Sequence, residues 1–421
     1  MSPSSPPIWR RFVRASLATG LSAGFGLGGL LFVTLLGEGG AGNWWPAAAQ
    51  AHGHAQVFGW AGLMVLGVGV HFLPRLASAP PPRADLTHFG FWVVIVGLSA
   101  RVFCQVALGF TDGGTAADIL GAGWAAGSVA ELAGALLILG LLAGSMRAAL
   151  PLRPDAAIRP ILPLLAAAML GLVAYLTGSA LVAFEAVSDD AAWIAPERSA
   201  RLSLIGLYGF LVPISVAMSI RIFPLYFRTP PARVQLTRGG VALLLAGLLL
   251  RLAGDEAALD TAGRWLLLGG AMLTVAGARV FEPRRPLPRR KVWIWQDAPG
   301  LHALGAYLWL LAAGLAALGG ERWAGLELHL LGAGFVTLLI LGSGVHLLPG
   351  FARARIRTTR LVWATLALGN LAVLCRAAPA FPPLHLDPDI ERTLGAAAGL
   401  CGLAALTLFA LNLRDALTGT D

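Results

Sequence analysis

Charge is scarce in this sequence: Asp, Glu, Lys and Arg make up 13% of its 421 residues, against 57% apolar ones. A soluble domain of this length needs far more polar surface, so the composition excludes one and makes the bilayer the solvent. Cysteine is nearly absent. Cys104, Cys375 and Cys401 lie inside apolar runs without C-x-x-C spacing, which excludes a disulfide framework or a thiolate zinc site and leaves them as packing residues. The chain also has no Walker loop or zinc-protease motif, so P-loop and zinc-protease chemistry has no support.

What the sequence does have is apolar runs, centred near 17–36, 51–73, 88–109, 120–144, 160–184, 202–224, 239–253, 263–281, 302–319, 328–348, 361–379 and 391–413. A spanning helix needs about 20 mostly apolar residues, so the expected fold is all-α, a polytopic membrane protein of about twelve transmembrane helices in a single helical domain over 1–421. The first run follows Arg10, Arg11 and Arg14 as a secretory signal would, but no small-x-small cleavage site stands out, and it reads as a retained span.

Every second connection is basic. These carry Arg75 and Arg83, then Arg147, Arg153 and Arg159, then Arg221, Arg228, Arg233 and Arg238, then Arg279, Arg284, Arg285, Arg289, Arg290 and Lys291, then Arg353, Arg355, Arg357 and Arg360. The intervening connections carry mostly acids, among them Asp112, Asp118, Asp189, Asp190, Asp255, Glu256, Asp260, Asp387 and Asp389. By the positive-inside rule both termini are expected in the cytoplasm, with the protein in a bacterial inner membrane. The isoelectric point near 10.6 then reflects charge facing anionic lipid, not a nucleic-acid partner.

Two segments repeat. His54-AQVFGWAGLMVLGVGV-His71-FLPR in the second run and His329-LLGAGFVTLLILGSGV-His346-LLPG in the tenth share the pattern H-x16-H-x2-P. Seventeen helical residues cover about 25 Å, so each pair brackets the hydrocarbon core. The expected orientation puts His52, His54 and His329 in a periplasmic layer and His71, His88, His302 and His346 in a cytoplasmic one, with His385 in a periplasmic loop outside both. Histidine in a span is costly, usually turns inward, and is the commonest metal ligand, although each of these lies near a helix end where it could cap or rest in the interface. Ligand type alone does not choose among zinc, copper, iron and nickel. Gly53, Gly59, Gly62, Gly67, Gly69, Gly332, Gly334, Gly342 and Gly344 give the repeats small faces, which suit close helix packing or a flat macrocycle.

Arg101, Arg251 and Arg376 lie in the periplasmic halves of the third, seventh and eleventh runs, with Glu131 as the one deep carboxylate expected to answer three guanidinium groups. Heme propionates would supply the missing anions, and snorkelling is the alternative for Arg251 and Arg376.

HGHAQVFGW and ELHLLGAGFVTL are similar to the helices that carry the heme-ligating histidines of the heme–copper oxidase catalytic subunit. GLSARV at 97–102, RIFPLYFRTP at 221–230, LHALGAYLWLLAAGL at 301–315 and LHLLGAGFVTLLILGSGVHLLPG at 328–350 more specifically resemble the NnrS family. The resemblance implies an oxidase-like bundle in the cytoplasmic membrane, carrying heme and copper and linked to nitric oxide metabolism or tolerance. It implies that His52 or His54 is the second-helix heme ligand, that His329 is the tenth-helix ligand, and that Arg376 lies where oxidases hold propionates. It departs at Glu327, which stands where the oxidases have a second histidine, and in the sixth and seventh runs, which lack histidine, so oxidase-type oxygen reduction is not expected.

The expected function is therefore an NnrS-like, b-type heme-binding membrane protein with nitric oxide as effector or substrate and a redox partner. Copper or a second heme would belong to His71, His88, His302 and His346. Whether nitric oxide is turned over or only bound, and hence whether the chain is an enzyme, stays open. Two other readings compete. One is a secondary transporter or metal permease with a histidine-lined pathway, against which stands the lack of midplane signals. The other is a quinol-linked cytochrome b subunit with Trp44, Trp45 and Glu185 lining a pocket, although tryptophans at that depth are commonly belt anchors.

Overall fold

A computed structural model describes residues 7–36, 42–153, 155–253, 256–285, 297–381 and 386–419. Asp255, Arg289, Arg290, Lys291 and His385 lie outside the described residues. The described residues are mostly helical, and none of them forms a strand. Eleven helices are long and apolar enough to cross a membrane: α1 (Ile8–Thr34), α2 (Trp44–Ala77), α3 (Ala84–Leu108), α4 (Thr115–Arg147), α5 (Arg159–Ser188), α6 (Pro196–Tyr226), α7 (Val234–Leu252), α9 (Ala298–Ala317), α10 (Ala324–Ala352), α11 (Thr359–Ala380) and α12 (Pro388–Asn412). The remaining long helix, α8 (Ala257–Ala278), carries Asp260 and Arg264 and is outside that set. The chain is thus a multi-pass helical membrane protein.

Several helices outrun their apolar sequence. α1 begins at Ile8, because Trp9, Phe12 and Val13 form a buried face while Arg14 points outward. An amphipathic turn continues a helix wherever one face is buried, and mean hydropathy does not register it.

The contacts group into two compact units, one of Met1–Pro160 with Met169–Gly206, the other of Ile161–Ala168 with Leu207–Asp421. In the first, α1 packs along α2, and Ser16 Oγ donates to the Trp60 carbonyl at 2.6 Å. That carbonyl lies in a π-helical stretch of α2, Ala55–Gly62, whose wider turns change which backbone groups pair within the helix. In the second unit, α9 packs on α8 and α10, and Trp309 Nε1 donates to Asn370 Oδ1 of α11 at 3.0 Å.

The repeat has three copies, where histidine alone reveals two. His54 to Arg101, Leu204 to Arg251 and His329 to Arg376 run in register without a gap. Each copy has a π-helical stretch (Ala55–Gly62, Ile205–Leu211, Leu330–Thr337), a proline one turn before the helix end (Pro74, Pro224, Pro349), and a left-handed residue at that end. Those residues, Ser78, Arg228 and Arg353, each have φ of 55°. In the outer copies the next N–H caps the proline carbonyl, Ala79 to Pro74 at 2.8 Å and Ala354 to Pro349 at 3.0 Å. The middle copy is hidden because Leu204 and Arg221 replace the two histidines.

Each copy leads into a helix hairpin, α3 with α4, α7 with α8 and α11 with α12, and these are the most extensive pairings in the chain. In the first two, glycines two turns apart make the close approach. A Cβ on Gly97 would lie 2.7 Å from the Glu131 nitrogen, and one on Gly127 would lie 2.7 Å from the Arg101 nitrogen. One on Gly247 would lie 2.6 Å from the Gly263 carbonyl. With lipid outside, such small-residue packing is what holds neighbouring spans together. Beyond α8, Arg279 donates to Glu282 at 2.8 Å, which holds that carboxyl below its ordinary range.

Candidate functional site

In the first unit the repeat places His54 at the start of the π-helical stretch, fully buried. Its Nε2 lies 2.8 Å from Glu131 Oε2 on α4, and its Nδ1 lies 2.9 Å from the Tyr175 hydroxyl on α5, whose ring stacks on the imidazole at 5.5 Å. The consistent pattern has Tyr175 donating to Nδ1 and Nε2–H donating to the carboxylate. Both ring nitrogens are then used by protein, and His54 presents no lone pair to a metal.

His52 differs. It is half-buried, and its Nδ1 lies 2.9 Å from the Gly24 carbonyl in α1. A carbonyl only accepts, so Nδ1 carries the proton and Nε2 the lone pair, the tautomer of a metal-ligating imidazole. Gly28 makes room for the ring, since a Cβ there would lie 2.5 Å from its Cε1.

In the second unit His329 has the same tautomer, with Nδ1 at 2.7 Å from the Gly325 carbonyl one turn earlier in α10. Glu327, two residues before it, is 1% exposed, and both its carboxylate oxygens accept from Arg251 Nη1, at 2.8 and 3.0 Å. Arg251 Nε also lies 3.5 Å from Asp260, which pairs with Arg264. The expectation that Glu131 is the one deep carboxylate is corrected. Glu327 answers Arg251, because a six-residue helical turn of α10, Ala324–His329, turns it inward. Arg251 is therefore ion-paired by protein carboxylates, although its Nε is buried without a hydrogen-bond partner.

Arg101 is 4% exposed and has two guanidinium nitrogens, Nε and Nη1, buried without a hydrogen-bond partner. Arg376 is half-buried in the last turn before Ala377. Of the other histidines, His71 packs on Trp9 with ring centroids 5.8 Å apart, and His88 Nε2 lies 2.5 Å from Arg11 Nη1 and accepts from it. His302 is wholly buried, donating from Nδ1 to the Ala298 carbonyl at 2.8 Å with Thr365 Oγ1 3.3 Å from Nε2. His346 stacks on Tyr226 at 5.3 Å, and its Nε2 is buried without a hydrogen-bond partner. Among the described residues, no three His, Cys, Asp or Glu side chains gather as a metal site.

Trp44 stacks on Phe110 at 5.4 Å, Trp45 donates to the Leu31 carbonyl at 3.1 Å, and Glu185 pairs with Arg198 at the surface, so all three have packing or surface partners. The sequence reading missed Tyr175 and the inward turn of Glu327. The available signal for Tyr175 was rarity: the chain has 4 tyrosines, and this one interrupts an apolar run. Compared with known protein families and with curated proteins, the chain matches none.

Proposed function

We propose that this is an NnrS-like heme protein of the bacterial inner membrane, crossing it twelve times with α8 as the twelfth span and both termini in the cytoplasm. In this reading it carries b-type heme, for which the imidazoles suited as ligands are His52 of α2 and His329 of α10. The carrying observation is the shared tautomer: each donates Nδ1–H to a backbone carbonyl, which puts the ring's lone pair on Nε2, the nitrogen that would ligate a metal. His54 does not fit the role, and Arg101, with Nε and Nη1 both buried without a hydrogen-bond partner, offers N–H groups suited to an anionic substituent. Bound heme would supply one-electron chemistry, or a nitric oxide site if only one of these imidazoles ligated it. His346, with its unpartnered Nε2, is the best-placed member of the other histidine layer for copper or a second heme.

The test is a reduced-minus-oxidised spectrum of the detergent-purified protein with a pyridine hemochrome count and copper analysis. We expect a b-type spectrum with about one or two hemes per chain. Heme should be lost in His52→Ala and His329→Ala but retained in His54→Ala. Loss in His54→Ala with retention in His52→Ala would reverse the assignment. A colourless, metal-free protein after expression with heme precursor would favour transport instead.

A further inference from the structure

Polar side chains of α2, α3, α4 and α5 are arranged in three levels through one half of the first unit. The outermost, beside the acidic connection at 189–195, holds Gln50, Gln105 and Trp124. Gln50 Nε2 donates to the Ile194 carbonyl at 2.6 Å, its Oε1 accepts from the Ile194 N–H at 3.0 Å, and Gln105 Nε2 reaches it at 3.4 Å. One turn deeper come Arg101 on α3 and Ser179 on α5, with Gly127 of α4 packed against the Arg101 backbone. A further turn in lie Tyr175, His54 and Glu131. From the start of α2 at Trp44 to His54 is about 15 Å of helix.

Every level has buried polar atoms without a hydrogen-bond partner: Gln105 Oε1 and Trp124 Nε1, then Arg101 Nε and Nη1 with Ser179 Oγ, then Glu131 Oε1. All five residues are at least nine-tenths buried. Each such atom costs about 1–3 kcal/mol in a dry interior, and more when charged. A dry core would also pair Arg101 with Glu131 directly. Instead Glu131 Oε2 is used by His54, and Arg101 makes no ion pair among the described residues. Immediately alongside, Ala47, Leu108, Ala183, Ala186 and Ala192 form an apolar cluster with the Trp124 ring, which borders the line. Among the described residues of α2, α3, α4 and α5, the unpartnered side-chain groups thus all fall on this one line, where donors and acceptors follow one another turn by turn and could be answered by water.

We propose that this line is a hydrated track, through which water and small hydrogen-bonding solutes pass from the 189–195 end to the His54–Glu131 pair. It stands without the heme reading. The test is thiol accessibility in the full chain with Cys104, Cys375 and Cys401 replaced by alanine, using a small membrane-impermeant methanethiosulfonate on intact cells and on inverted vesicles. Asp189→Cys reports which side the acidic connection faces. Gln105→Cys and Ser179→Cys should react from that same side. Ala183→Cys, nearer the connection on α5 but inside the apolar cluster, should react at least about tenfold more slowly. Two sites at different depths keep the test decisive if one variant fails to fold. The proposal is overturned if both track positions are as slow as Ala183→Cys, or if Ala183→Cys reacts as fast as they do.

Discussion

At the scale of single residues, His52 and His54 show how little separation is needed for different chemistry. Two positions apart on a helix, they face nearly opposite directions, one toward the Gly24 carbonyl and the other between Glu131 and Tyr175. Arg251 and Glu327 give this scale its prediction. The pair is buried, and removing one partner leaves an uncompensated charge, at a cost of about 3–5 kcal/mol, whereas removing both costs much less. Glu327→Leu should therefore lower the thermal midpoint of the detergent-solubilised protein clearly more than Arg251→Met with Glu327→Leu together. Equal losses in the two variants would mean that the pair is not coupled.

At the scale of elements, the unit of construction is a central helix with a π-helical stretch and a left-handed end, followed by a glycine-seamed hairpin. The seam is testable at matched positions on α4. A Cβ on Gly127 would meet the Arg101 nitrogen and the Gly97 carbonyl, both at 2.7 Å, and backbone cannot move aside as a side chain can. Gly140 on the same helix has nothing within 4 Å of that position. Gly127→Ala should destabilise by about 1–3 kcal/mol through overpacking. Gly140→Ala should be neutral or slightly stabilising, since alanine is the better helix former. Thermal unfolding followed by aggregation or fluorescence distinguishes the two.

At the scale of the whole molecule, α8 decides the topology. With Asp260 and Arg264 inside it and Gly263 and Gly270 in its seam, it is the long helix left out of the membrane-crossing set, yet it pairs with α7 as α4 pairs with α3. If it spans, the termini share a side, and reporter fusions at the two termini should both be active only in the cytoplasm. Termini on opposite sides would leave eleven crossings and remove α8 from the membrane. Pairing of Asp260 with Arg264 and Arg251 is what would let so polar a helix span.

By itself the sequence determined the membrane class, the helices, the alternation of charge and the positions of histidine and arginine. Apolar length, loop charge and residue spacing act locally along the chain, and each of the apolar runs coincides with a helix. Tertiary structure decided which nitrogen of each histidine is occupied, because that depends on carbonyls and carboxylates brought by other helices. It also decided that Glu327 rather than Glu131 answers Arg251, and that Tyr175 closes on His54 across 121 residues. The third repeat copy lay between: its register was in the sequence, but without histidine only the shared π-helical stretch and left-handed helix end made it visible.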